Sequence, residues 1–165
     1  MSRRRYSFDE EKIARFHKEG RGLGAGTDYK PWLNIQDVPS YGRSHRLRGM
    51  TIERLYHFLS DIECHLFYLL DWAENVHDIR EQFPIDRHAT QRIAKEINVI
   101  HPVDRSTKTP IVMTTDFVID ATVDGQKKQI ARTVKPSKDL DKPRIIEKLE
   151  IESLPSISFA ERLLT

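Results

Sequence analysis

The chain has 165 residues, a length that supports one domain around a single core rather than two. Hydrophobic residues make up 38% and charged residues 32%, a balance without a disorder signature, and a formal net charge of +2 excludes a polybasic nucleic-acid coat. No run approaches the ~18 apolar residues of a membrane span, the N-terminus has no apolar signal region, and the lone Cys64 excludes an internal disulfide or a cysteine zinc site.

These features point to a reducing cytoplasm. Basic residues cluster locally in "SRRRY" and in "YGRSHRLRG", Tyr41–Gly49, with acidic runs "FDEE" and "EKLEIE" elsewhere. Clustered arginines bind phosphates even in a near-neutral chain, although a solvated charged surface is the simpler account of either cluster taken alone.

In chain order, "SFDEEKIARFHKEGRG" predicts a short helix with Ser7 and Glu10 as a capping box, Ile13 and Phe16 on the apolar face and Gly20 as the stop. "GRGLGAGTDYKPW" has no strand before it and no helix with Lys-Ser/Thr after it, so it reads as a flexible connection rather than a phosphate cradle. Residues 28–50 read as loop.

Residues 51–75 read as the principal helix, capped by Thr51, with Leu55, Phe58, Leu59, Ile62, Leu66, Leu69 and Leu70 on one broad apolar face. Cys64 falls inside it as a small buried hydrophobe. "VHDIREQFPI" predicts a strand stopped by Pro84, "RHATQRIAKEINV" a second helix, and "DKPRIIEKLEIESL" a last helix with Ile145, Ile146, Leu149 and Leu154 on one side. Helix, strand, helix, hairpin, helix is an α/β or α+β order.

The hairpin is centred on Asp124-Gly125, residue types that tolerate positive φ. Pairing Val123 with Gln126 sets Asp116 opposite Thr133, so that Asp116, Thr133 and Lys135 share a face. The diagonal from Asp116 to Lys135 is roughly 7–8 Å between backbone positions, within reach of a lysine. From the hairpin alone, a cross-strand ion pair on a wet face is the simpler account.

The long helix shifts that balance. At ~100° per residue, Glu63 borders the apolar stripe between Leu70, Tyr56 and Phe67, where a carboxylate needs a partner or a task. Two carboxylates and a lysine suit phosphodiester hydrolysis: the acids hold magnesium, which polarises the phosphate, and the lysine neutralises developing charge or orients water.

The stretches "KEGRGLGAGTDYKPWL", "VPSYGRSHR", "HFLSDIE", "VHDIREQFP", "TTDF", "VKP" and "EKLEIE", in this order over about residues 10–152, resemble the N-terminal catalytic part of the TnsA family, the endonuclease subunits of heteromeric transposases. The resemblance implies a restriction-endonuclease-like fold, a mixed sheet flanked by helices, and magnesium-dependent DNA cutting, with manganese as a substitute. It implies that the 5′ strand is cut at transposon ends while a TnsB-like transposase cuts and joins the 3′ strand, and that a TnsC-like ATPase is a further partner.

It assigns catalysis to Glu63, Asp116 and Lys135. Metal binding falls to Glu63, Asp116 and the Val134 carbonyl, and, through a bridging water, to Thr133, where the family usually carries Gln or Glu. Arg43, His45 and Arg46 in the basic loop and Arg80 in "DIREQF" are the expected DNA contacts; pairing of Arg80 with Glu81 or Asp78 competes with that role. Asp71, Glu147, Glu150 and Glu152 read as helix-surface charges, with Glu152 also matching a recurrent family acid.

Residues 1–152 are expected to form the endonuclease domain and 153–165 a divergent tail, without the final part of the family fold, which leaves an inactive remnant that binds DNA or a partner as the alternative function. The seven histidines show no metal-ligand spacing, no nucleophile motif occurs, and an RNA-binding module lacks its paired sheet aromatics.

Overall fold

A computed structural model describes residues 6–39 and 42–161, with side chains given through Ser153. The basic residues Arg3–Arg5, Tyr41 and the Leu154 side chain therefore lie outside the described parts.

Helix α1, Glu10–Lys18, is capped by Asp9, which accepts the Lys12 N–H at 2.8 Å. The expected Ser7/Glu10 box does not form, because Asp caps as well as Ser and Glu10 is instead drawn to Arg87 at 2.8 Å. Gly20, at φ +74°, ends the helix as expected. Ile13 and Phe16 pack with Trp32 and Val112.

The glycine-rich segment is a packed clasp rather than a flexible connection. Gly22 sits so close to the Pro84 ring that a Cβ would collide with it. The Gly26 N–H donates to Asp78 at 3.0 Å, the Tyr29 hydroxyl to the Glu81 carbonyl at 2.9 Å, and the Trp32 N–H to the Gln82 carbonyl at 3.0 Å. Burial of Tyr29 and Trp32 supplies the driving force that a polar glycine linker would lack.

The long helix over 51–75 is also corrected. Strand β1, His45–Arg48, pairs antiparallel with β2, Leu55–Phe58, and only Asp61–Trp72 is helix α2. Tyr56 and Phe58 are both fully buried at alternate positions, the period of a strand. Ser60 then caps α2 by accepting the Glu63 N–H, so Ser60-x-x-Glu63 is the capping sequence and Thr51 is not.

Strands β3 (Val76–Pro84), β4 (Thr114–Val123) and β5 (Gln126–Arg132) form a sheet in the order β3-β4-β5, and every pairing among the described residues is antiparallel. The β4–β5 turn has Asp124 at φ +52° and Gly125 at +74°, with Val123 opposite Gln126, the expected register. Phe58, Phe67, Ile79, Phe117 and Ile119 form the main core, with Cys64 buried beside them.

Helix α3, Arg87–Glu96, and α4, Pro143–Glu161, meet through Ile93, Ala94, Met113 and Ile151. Ile146, expected on the apolar side of α4, is exposed, because Ile151 carries that contact instead. Helices flank antiparallel sheets in an α/β architecture. No helix among the described residues is long and apolar enough to cross a membrane.

Candidate active site

Three elements deliver the candidate residues. Asp116 lies near the start of β4, between Thr115, which pairs with Phe83, and Phe117, which pairs with Glu81; Gln82 is therefore the residue across from it on β3. The β4–β5 ladder ends at Phe117 and Arg132. Beyond that point the Asp116 carboxylate takes over from the backbone: its Oδ2 accepts the Val134 N–H at 2.8 Å and the Lys135 ammonium at 3.2 Å. Asp116 is buried, and Lys135 keeps a third of its side chain in solvent.

The extrapolated register sets Thr133 opposite Asp116 on a shared face, and the structure departs from it. With the ladder ended, its hydroxyl bonds Thr115 at 3.1 Å and the Glu152 carboxylate. Glu152 is buried rather than a helix-surface charge. Burial pushes its carboxyl up, the Thr133 hydrogen bond opposes this, the Asp116 charge adds to the rise, and Lys135 counters it. Asp71, likewise expected on the surface, is buried and caps the β1–β2 connection by accepting the Met50 and Thr51 N–H groups at 2.8 and 2.9 Å.

Glu63 projects from the first turn of α2 and is 6% exposed. Its Oε1 accepts the Ser60 hydroxyl at 2.8 Å, and its Oε2 accepts the Leu59 N–H at 3.1 Å and the Gln82 amide at 3.1 Å. Burial raises its carboxyl above the ordinary glutamate value and the Asp116 charge raises it further; the Leu59 and Ser60 hydrogen bonds and the Lys135 charge pull it back. Glu63, Val134 and Lys135 line one groove of about 440 Å³, with Leu59 and Ile62 beside them.

Gly42 and Ser44 border the same groove, which places the basic loop at its rim. Arg43 and Arg46 are exposed. His45 is tied by Nε2 to Asp61 in the first turn of α2 at 2.6 Å. Arg80 is not brought to the groove: it is 9% exposed and held chiefly by Asp120 at 2.7 Å, a partner not expected from the sequence, with Asp78, one of the expected competitors, at 3.6 Å. Gln82, which bridges two site elements, was not singled out from the sequence. The available signal was "EQF" opposite "TTDF", which becomes readable only once the β3–β4 register is known.

Residues 73–154 match the family model described as TnsA-like endonuclease N terminal. The chain is also 47% identical, over 152 residues and 92% of its length, to the Escherichia coli transposon Tn7 transposition protein TnsA. The chain belongs to the TnsA family. It spans 55% of the length of that TnsA relative. The stretch matched by the TnsA family model holds Asp116, Lys135 and Glu152, while Glu63 precedes it.

The donor set fits a magnesium ion. Glu63 and Glu152 are buried carboxylates made harder to ionise by burial and by Asp116, with Lys135 as the neighbouring cation. An excess of buried negative charge is what a divalent ion relieves. Among the described residues no three His, Cys, Asp or Glu side chains form a ready-made cage. Magnesium does not require one: it takes one or two carboxylates and keeps several waters.

Proposed function

We propose that this chain is a metal-dependent DNA endonuclease that hydrolyses the 5′ strand at transposon ends, acting with a TnsB-like transposase and contacting a TnsC-like ATPase. The observation that carries the reading is the ion pair of Lys135 with Asp116 of β4, with Glu63 of α2 within electrostatic reach of both and lining one groove with Lys135, in a TnsA-family chain. Asp116 and Glu63, with the Val134 carbonyl, are the assigned ligands of magnesium or manganese; Thr133 is assigned only a supporting role through Glu152. When bound, the ion supplies Lewis acidity at the phosphate and lowers the pKa of bound water.

Lys135, anchored to Asp116 yet partly in solvent, neutralises charge that develops on the phosphate oxygens. Arg43, between the groove residues Gly42 and Ser44, and the exposed Arg46 on β1 are assigned the backbone phosphates flanking the cut. Ser60 and the Leu59 N–H fix the Glu63 carboxylate through the α2 cap. Incubation of the purified chain with supercoiled plasmid bearing transposon ends, magnesium or manganese, and the partner transposase tests the proposal. Nicking that disappears in Glu63→Ala and Asp116→Ala supports it. Equal traces in wild type and variants overturn it in favour of a module that only binds.

A further inference from the structure

We propose that Gln82 is a positioning residue of this site, whose side-chain amide orients the Glu63 carboxylate toward the ion from the strand position facing Asp116. The inference rests on the nuclease reading and deepens it.

Gln82 is 2% exposed, so its amide must find partners inside the protein. Nε2 donates to Glu63 Oε2 at 3.1 Å, and Oε1 accepts the Thr114 hydroxyl at 3.3 Å. A carboxylate only accepts, so the chemistry fixes which end of the amide faces Glu63. Thr114, two residues before Asp116 on β4, thereby locks the far end of the same side chain.

The backbone at Gln82 is itself unusual. Its φ of +46° lies in the left-handed region, within a strand, at a residue that is not glycine. The Trp32 N–H clamps its carbonyl at 3.0 Å and so maintains that conformation. Such backbone strain persists where the surroundings over-determine it, and it concentrates at functional sites.

A merely structural residue here has no need of an amide. An apolar side chain would fill a buried sheet position without any polar group to satisfy. A donor aimed at a carboxylate that already accepts from Ser60 and Leu59 is useful when that carboxylate must be held in one rotamer. This is the part that outer hydrogen bonds play around metal ligands.

The test compares wild type, Gln82→Met, which keeps length and removes both hydrogen bonds, and Thr114→Val, which removes only the anchor of the amide. Three quantities are measured: Mn²⁺ affinity by electron paramagnetic resonance of the free ion, plasmid nicking as a function of Mn²⁺, and the thermal midpoint without metal. Gln82→Met is expected to weaken Mn²⁺ binding by about 10–100-fold, with nicking partly restored at high Mn²⁺. Thr114→Val is expected to shift both in the same direction by a smaller factor, and it carries the test if Gln82→Met does not fold.

Wild-type Mn²⁺ affinity in both variants, with nicking intact, overturns the role of Gln82 and leaves the nuclease reading standing. A wild-type chain that binds no Mn²⁺ and does not nick overturns the nuclease reading and this inference together.

Discussion

Removal of the Glu81 carboxylate tests how the two sheets are held. Glu81 is fully buried on β3 and grips Arg54, whose side chain is 6% exposed, through Nη1 at 3.0 Å and Nη2 at 2.5 Å. It also accepts the His57 N–H of β2 at 3.1 Å. Burial works against the Arg54 charge, but the hydrogen bond and charge of Glu81 outweigh it and hold the guanidinium above its ordinary value. Glu81→Ala leaves that cation with the Ile79 carbonyl at 2.9 Å and the face of Tyr56 at 3.8 Å.

Breaking one side of a buried pair costs about 3–5 kcal/mol, and the orphaned His57 amide puts the expectation at the upper end. For a chain of this size that is a fall in thermal midpoint of about 10–20 °C. Urea unfolding followed by circular dichroism measures the loss. The double variant Arg54→Leu/Glu81→Leu is expected to recover the part of the loss due to the unpaired Arg54 charge, because an apolar pair of similar volume is often neutral, but not the part due to the His57 amide. A loss under about 1 kcal/mol for Glu81→Ala, or a double variant less stable than the single one, refutes the reasoning.

Lys135→Met is expected to lower nicking by about 10²–10³-fold, the scale for removing one group that stabilises transition-state charge, while the thermal midpoint changes little, because a third of the lysine is in solvent. The raised Glu63 and Glu152 carboxyls mean that the folded state holds protons more tightly than the unfolded chain, so their contribution to stability is present below 4.5 and is lost as pH rises through their folded values. Without divalent ions, the difference in stability between Glu63→Gln and wild type, followed by urea unfolding from pH 4 upward, is therefore expected to grow in favour of the variant as pH rises. Magnesium at about 100 times its dissociation constant is expected to stabilise wild type by about 2.7 kcal/mol, and to leave a Glu63→Gln/Asp116→Asn variant unshifted in a thermal melt.

The sequence carried the hairpin and its register, because Asp124-Gly125 admits a single tight turn and alternation does the rest. It also carried the β3 strand and the α3 helix, whose patterns are local. The β1–β2 ribbon escaped because "LYHFLSDIECHLFYLL" is apolar at both periods, and only the Ser60–Glu63 cap marks where strand gives way to helix. The helical surroundings assigned to Glu63 were accordingly wrong at Tyr56, which belongs to β2, although the carboxylate still meets the electrostatic reach of Asp116 and Lys135.

The clasp over 22–32 was illegible for a different reason. A glycine that permits close approach, as Gly22 does, looks the same as a glycine in a linker until the Pro84 ring it approaches is in place. Glu152 and Gln82 depend on contacts between elements far apart in the chain, which no window of residues displays.

The most direct measurement is the anomalous scattering of a crystal soaked in Mn²⁺. The expected result is a peak in the groove at about 2.0–2.3 Å from carboxylate oxygens of both Asp116 and Glu63, with Lys135 alongside. No peak there, or a Glu63 carboxylate turned away from a metal bound elsewhere, contradicts it.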